Sequence, residues 1–437
     1  MKIPIALSGI GARVGGLALT AATHLWLARE LGPAGYGSFV LALVLNGAAV
    51  LAANAGIGSG VAFRIARAPT SPRPILLAGI IAATASVLLA LAVLIPLVVL
   101  GGIDPFPGVS RAWVAFAVAG VPLRIFQEVF AGATVGLGRS GRSLALAIAT
   151  PTFLLTALLV AQSGAPLSEA AVAAAWWLSQ VAGLAAAVAL AVPTLPAGAW
   201  NIPLALRSTP SILMIGAQQT LNMAAWWFMV RTDRSIVGAV AGAEAAGRFA
   251  IASSLADVVL NVPSVVAVVT FYGLSREGVA LGARTVQRLA RGTTAVIGAA
   301  VALGLPIVGL VSRWILGPAY GDVAIILLAL APGIVALTPA TLVAPYFLAV
   351  LGRPALNLVS TAAALTVLVP AVWFLTSAWG VVGAAVGTSI AYVTAGAVAV
   401  ALFSSKSETS WRRTIRPTVS DGRDLLRVLS GADPFAG

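Results

Sequence analysis

The chain has 437 residues, 60% hydrophobic and only 9% charged, with a mean hydropathy of +1.02. Soluble domains carry about 25% charged residues, so an ordinary water-facing fold is excluded and the chain reads as integral to a membrane. Lys and Arg number 26 against 13 Asp and Glu, cysteine is absent, and histidine occurs once, at His24; disulfides, thiolate catalysis and a two-histidine zinc motif are therefore excluded.

A helix needs about 20 apolar residues to cross the hydrocarbon layer, and runs of that order predict twelve spans. The first, 7–28, holds Arg13 well inside it and His24 near its far end; lacking a small-residue cleavage site, it is expected to stay attached rather than act as a signal peptide. Spans 37–61, 75–99, 112–136, 143–162 and 168–192 complete a first lobe, residues 1–192, and the fourth span carries Pro122, Arg124, Gln127 and Glu128. Pro193, Pro196 and Pro203 break the next run, which predicts a cytoplasmic linker over 193–209. The seventh span, 210–231, is closed by Arg231, Asp233 and Arg234; the eighth, 246–271, is opened by Arg248 and contains Asp257. Spans 292–315, 322–349, 355–376 and 380–403 complete a second lobe, residues 210–403. Residues 404–437 turn charged and read as a cytoplasmic tail, in which 421–429 either forms a short helix on the inner leaflet or stays unstructured.

Two patterns organise these spans. With residue 1 in the cytoplasm, most basic residues fall on the cytoplasmic side, among them Lys2, Arg64, Arg67, Arg73, Arg139, Arg142, Arg284, Arg288, Arg291, Arg353 and those of the tail. That bias predicts both termini inside and accounts for the net charge of +13 without nucleic acid as a partner. The second pattern is a repeat: Gly32, Gly37, Phe39 and Ala42 recur as Gly242, Gly247, Phe249 and Ala252, and Leu137-Gly138-Arg139 recurs as Leu351-Gly352-Arg353. Six spans separate the copies of the first tag, an even number that preserves orientation. The expected fold class is an all-α polytopic membrane protein of about twelve transmembrane helices, in two six-helix lobes related by a parallel pseudo-twofold repeat around a central cavity.

Small residues at Gly11–Gly15, Gly56–Gly60 and Gly383–Gly387 are expected to let helices pack closely within each lobe. Pro122, Pro151, Pro263, Pro306 and Pro370 fall inside spans and predict kinks.

Residues 27–39, Leu-Ala-Arg-Glu-Leu-Gly-Pro-Ala-Gly-Tyr-Gly-Ser-Phe, resemble the opening signature of the Wzx-type oligosaccharide flippases, whose superfamily includes MurJ-type lipid II flippases and MATE exporters. Arg231-Thr-Asp-Arg-Ser-Ile-Val-Gly, continuing through Glu244-Ala-Ala-Gly-Arg-Phe to Leu255, is similar to that family's start of the second lobe; Leu316-Gly-Pro-Ala-Tyr-Gly followed by Leu351-Gly-Arg also fits. The resemblance implies movement of polyprenyl-pyrophosphate-linked oligosaccharide from the inner to the outer leaflet by alternating access, for cell-surface polysaccharide biosynthesis in a bacterial cytoplasmic membrane. It implies as partners the lipid-linked saccharide, membrane lipids and other membrane proteins of polysaccharide assembly. Two departures stand out. MurJ-type proteins carry fourteen spans against twelve here, which favours the Wzx type, and Arg248 stands where the family more often shows a tyrosine-like residue.

Ionisable groups inside a bilayer need a partner, a wet cavity or a route to the interface. Arginine grips phosphate oxygens with a planar, permanently charged fork, so Arg124 and Arg231, with Arg13 and Arg234, are the candidates to bind a pyrophosphate from both lobes. The plainer readings are that Arg13 snorkels to the inner surface, that Arg124 and Glu128, four apart on one face, neutralise each other, and that Arg234 is an interfacial anchor. A carboxylate in mid-span can bind and release H+ or Na+ between states. Asp257 is the first candidate for such coupling and Glu128 the next, while Asp233 is expected to order Arg231 and Arg234 by charge pairing. Asp257 paired with a neighbouring polar group is the alternative, and His24 is expected to be packed.

No catalytic residue, resident cofactor or metal site is expected, and the lysines, Lys2 and Lys406, follow no glycine-rich phosphate loop. Rival readings are a MATE-like exporter of cations, which would want an acidic cavity, a polyprenol-dependent glycosyltransferase, which would want carboxylates on a sizeable outer loop, and a non-transporting scaffold or scramblase.

Overall fold

The computed structural model describes residues 3–67, 72–99, 106, 109–163, 166–196, 198–274, 279–353, 355–407 and 409–410. The stretch 421–429 and the rest of the tail beyond 410 lie outside the described residues, as does the Arg13 side chain. Hydrocarbon offers the backbone no hydrogen-bonding partner, so an apolar chain crossing it satisfies itself as helix. Every regular element among the described residues is helical.

Taken between breaks, the helices are α1 (3–31), α2 (33–67, interrupted at 55–56), α3 (Pro72–Leu94, with a π turn Ile95–Val99), α4 (Arg111–Gly136), α5 (Ser140–Gln162) and α6 (Glu169–Ala191). Then follow α7 (202–241), α8 (243–274), α9 (Val279–Leu316), α10 (Val323–Pro345, with a π turn Tyr346–Val350), α11 (355–378) and α12 (381–407). Each expected span has its helix, giving an all-α polytopic membrane fold. Leu89 on α3, Leu303 and Trp314 on α9 and Phe374 on α11 are among the most exposed apolar side chains, as lipid-facing residues should be.

The repeat tags mark matching backbone events. At Gly32 the chain takes φ 67° and ψ 177°, and at Gly242 φ 84° and ψ 175°, a left-handed break that turns one helix into the next. Gly317 repeats it at φ 84° and ψ 178°. In the second tag, Gly138 and Gly352 both have positive φ, 69° and 61°. An L side chain is strained at such angles, which is why glycine recurs at these positions.

Two compact units emerge, one drawn from Ser8–Ala224 with Gly242–Glu244, the other from Met1–Leu7, Ala225–Ala241 and Ala245–Gly437. The segment 193–209, expected as the linker, leaves α6 through a 3-10 turn at Val192–Thr194 and then begins α7. The boundary between units falls further on, inside α7, because Ile212 and Gly216 pack against Gly60 and Gly56 of α2.

In the first unit close backbone approach carries the packing. An added Cβ on Gly58 would lie 2.6 Å from the Glu128 carbonyl on α4, and one on Gly132 would strike the Gly58 carbonyl. Only glycine permits this. Asn46 Nδ2 donates to the Ala117 carbonyl (2.7 Å), and the Trp113 indole donates to Glu169 (2.8 Å), tying α2 to α4 and α4 to α6. Two of the basic residues expected on the cytoplasmic side bond backbone carbonyls: Arg142 donates to the Leu190 carbonyl in the last turn of α6 (3.0 Å), where the helix dipole favours a cation, and Arg73 donates to the Gly198 carbonyl in the segment before α7 (2.6 Å).

In the second unit, Gly387 on α12 faces the Val372 backbone of α11, and Gly333 on α10 donates its N–H to Ser389 Oγ of α12 (2.8 Å). Tyr346, Phe347 and Phe403 close one end. The small-residue expectation thus holds at Gly56–Gly60 and Gly383–Gly387. Gly15 has no neighbour within contact distance of an added Cβ, so it does not mark such a seam. Pro122 follows Gly120, where α4 loosens for one residue but keeps helical angles, Pro151 and Pro370 lie inside α5 and α11, and α10 carries Pro332, Pro339 and Pro345 as well.

One expectation is corrected outright. Arg231, Asp233 and Arg234 do not close a span, since α7 continues unbroken to residue 241. A charged residue ends a membrane helix when it must reach water, and these charges are compensated inside the unit.

Candidate functional site

In the second unit a cluster of charged side chains is built on α7. Arg231 and Arg234 are three residues apart, hence on one helix face, and both reach across to Asp257 on α8. Arg231 Nη1 lies 2.8 Å and Arg234 Nη2 2.9 Å from the same oxygen, Asp257 Oδ2. Arg231 and Asp257 side chains remain 29% and 25% exposed, whereas Arg234 is 7% exposed. The Asp257 carbonyl also accepts from Asn261 Nδ2 at 2.7 Å.

Asp233, at a different angle around α7, is turned elsewhere and buried, 2% exposed. Its Oδ1 accepts the Arg234 backbone N–H (2.8 Å) and its Oδ2 the Thr388 hydroxyl of α12 (3.2 Å). The expected roles of the two carboxylates are therefore exchanged as regards pairing. Asp257, not Asp233, orders both arginines, because residues adjacent on a helix point about 100° apart, so Asp233 cannot share the face that carries Arg231 and Arg234.

In the first unit, α4 presents Arg124, Gln127 and Glu128. Gln127 Nε2 donates to Thr150 Oγ1 on α5 (3.0 Å), and Glu128 accepts from Asn54 Nδ2 on α2. Arg124 is half-buried, and its side chain makes no hydrogen bond or ion pair among the described residues. The expected neutralisation of Glu128 by Arg124 is one of proximity only, for the bonded partner of Glu128 is Asn54. Arg248 pairs with Asp322 at the start of α10 (3.3 Å). His24 Nδ1 meets the Tyr36 hydroxyl at 2.8 Å and stacks edge-on against Tyr36, so it is packed as expected.

Asn54, Thr150 and Thr388 escaped the reading of the sequence. A signal existed for Asn54, which stands before Ala55-Gly56 in the middle of an apolar run, where such residues mark a helix break. Thr388 is one hydroxyl among many. Among the described residues no group of three or more His, Cys, Asp or Glu side chains could hold a metal.

No family model matches the sequence, and no curated protein matches it. Solved structures do. A multidrug resistance MATE family transporter of the MOP superfamily, in its inward-facing conformation, superposes with a TM-score of 0.70 at 17% identity over 93% of this chain and 99% of that one. The lipid II flippase MurJ, in an inward closed conformation, gives 0.71 at 12% identity over 98% and 90%. A MOP superfamily transporter from Pyrococcus furiosus, described as having a binding pocket of reverse polarity, gives 0.58 at 17% over 92% and 94%. At these identities the likeness is one of fold: the chain has the architecture of the MOP-superfamily transporters.

Proposed function

We propose that the chain is an alternating-access transporter that moves polyprenyl-pyrophosphate-linked oligosaccharide from the inner to the outer leaflet. The observation that carries this reading is the convergence of Arg231 and Arg234 on one anionic oxygen inside a membrane-spanning segment. A phosphate oxygen is, like Asp257 Oδ2, an anionic acceptor for guanidinium N–H groups, so a substrate phosphate can compete for these arginines. Arg124, with no bonded partner in the first unit, is the second head-group ligand, and Arg13 a further one. The fold shared with a protein named as a lipid II flippase supports a lipid-linked substrate. The same fold serves proteins named as multidrug transporters; two guanidiniums on Asp257 argue against a free acidic site for a cationic drug.

Outward movement of an anion is favoured when the inside is negative, by about 2.3 kcal/mol per charge per 100 mV. A coupling H+ or Na+ would act through Asp257 or Glu128. Asp257→Asn is expected to slow turnover and weaken any dependence on an imposed ion gradient more than Asp233→Asn does.

The test is flipping in proteoliposomes with a panel of polyprenyl-pyrophosphate saccharides. Native protein flips at least one of them, Arg124→Ala and Arg231→Ala abolish it, and the Lys variants retain part, keeping the charge without the fork. Native rates in both Ala variants would sink the head-group assignment, and no flipping of any lipid-linked saccharide would sink the function.

A further inference from the structure

Inside the second unit, residues of α7, α8, α10, α11 and α12 surround a cavity of about 190 Å3. That is far above the roughly 10–15 Å3 that admits one water and below the roughly 300–1,000 Å3 of sites for drug-sized ligands, so there is room for a single ring. Its polar lining is Ser264 of α8, Thr341 of α10 and Asn357, Ser360 and Thr361 of α11. Each of these already gives a proton to a backbone carbonyl: Ser264 to Leu260 and Thr341 to Leu337 (both 3.4 Å), Ser360 and Thr361 to Asn357 (2.9 and 3.0 Å), and Asn357 Nδ2 to Ala344 (3.2 Å). A hydroxyl keeps acceptor lone pairs after donating. The lining therefore offers mainly acceptor oxygens, beside the Trp226 ring and the side chains of Met229 and Leu337.

Among the described residues no charged side chain lines this cavity. A charged ligand would lose its hydration there with no opposite charge in exchange, which argues against an ion or a charged drug. The ligand that suits the lining is uncharged, donates several hydrogen bonds and has an apolar face for the indole and the aliphatic walls. A sugar ring meets all three conditions. Its place relative to the arginines is set by α8, where Asp257, Asn261 and Ser264 recur at intervals of four and three residues and so share one face. Ser264 stands two turns, about 10 Å, beyond the carboxylate that Arg231 and Arg234 bond. On α7 the two places are separate, since Trp226 and Met229 stand on the Asp233 side of that helix. A phosphate at the arginines and the sugar bonded to it would thus lie along α8, toward the end of that helix expected in the cytoplasm.

We propose that this cavity is a subsite for one uncharged sugar of the transported lipid, the one next to its pyrophosphate. The inference rests on the function proposed above and adds to it the place and the class of the sugar. A neutral ring is accepted, and a uronic acid, whose carboxylate meets no cation there, is refused. Nothing in the head-group reading uses Ser264, Thr341, Asn357 or Thr361.

The purified full chain in detergent is titrated by calorimetry with inorganic pyrophosphate, with the 1-pyrophosphates of glucose, galactose and N-acetylglucosamine, and with that of glucuronic acid. Native protein is expected to bind at least one neutral sugar pyrophosphate about tenfold or more tighter than pyrophosphate, and the glucuronic acid compound no tighter than pyrophosphate. Thr361→Val, which removes an acceptor at nearly constant shape, and Ala344→Leu, which fills the cavity, should each cut that gain by about tenfold. Melting without ligand establishes that the variants are folded; should Ala344→Leu fail there, Thr361→Val and Trp226→Leu decide. No gain from any neutral sugar in native protein, a glucuronic acid gain equal to the neutral one, or a native gain in the folded variants overturns the subsite. Pyrophosphate by itself reads the arginines. If Arg231→Ala loses it while the sugars add nothing, the head-group reading stands and the subsite is refuted. If Arg231→Ala binds it as native protein does while a neutral sugar still adds its gain, the failure lies in the head group and the subsite stands.

Discussion

Arg231, Arg234 and Asp257 form a three-membered group in which one oxygen serves two cations, so the members are not equivalent on removal. Without Asp257 both guanidiniums lose their counter-charge, and breaking a buried pair from one side is more damaging than never having had it. Because Arg231 and Asp257 are each at least a quarter exposed, part of that loss is screened by water, and Asp257→Asn should lower stability by about 1–3 kcal/mol. Asp233→Asn keeps an oxygen for the Thr388 hydroxyl and the Arg234 N–H, and should cost about 0–1 kcal/mol. Thermal unfolding of the purified variants checks the order; an Asp233→Asn protein that melts well below Asp257→Asn would contradict it. Arg248–Asp322, with side chains 32% and 26% exposed, is a pair of the weak kind, and its loss in Arg248→Ala should alter stability by no more than about 1 kcal/mol.

At the scale of the helices, two kinds of glycine do different work. Gly242 has open space around it but φ of 84°, so Gly242→Ala should cost only backbone strain, about 1–2 kcal/mol. Gly58 is held against the Glu128 carbonyl of α4. Gly58→Leu must push α2 and α4 apart, with a loss of about 3 kcal/mol or more from overpacking and the contacts given up around it. Melting of the two variants should therefore rank Gly58→Leu well below Gly242→Ala, and the reverse order would mean that the α2–α4 seam is not a close one. The break in α2 lies between Asn46, which binds α4, and Gly58, which packs on it, so the two halves of α2 are fastened separately to the same neighbour.

For the whole molecule, the basic-residue bias and the helices found between breaks make the topology a matter of parity. With an even number of spans the two ends are expected to share a side, and a position two spans along the chain to face it as well. The native chain has no cysteine, so a cysteine introduced at Ser71 or at Ser410 gives a clean label. Both are expected to react only with reagent that has reached the cytoplasm; labelling of either from outside alone would refute the orientation.

The sequence by itself determined the membrane class, the number and order of the spans and the places where helices turn. Those features follow from quantities local in the chain: apolar run length, the dipoles of a backbone with no water to bond, and the conformational freedom of glycine. The tags at Gly32 and Gly242, and at Gly138 and Gly352, were legible for that reason, since each marks a backbone angle. The membership of the charged clusters was not. Spacing along α7 puts Arg231 and Arg234 on one face, but which helix lies opposite, and at what rotation about its axis, is fixed by how glycines and small residues let neighbours approach. Only the tertiary structure therefore decided that Asp257 rather than Asp233 bonds the two arginines, that Glu128 takes a hydrogen bond from Asn54 beside the charge of Arg124, and that α7 runs on past its charges. A helix's own sequence sets the direction of its side chains relative to one another, and packing sets what they meet.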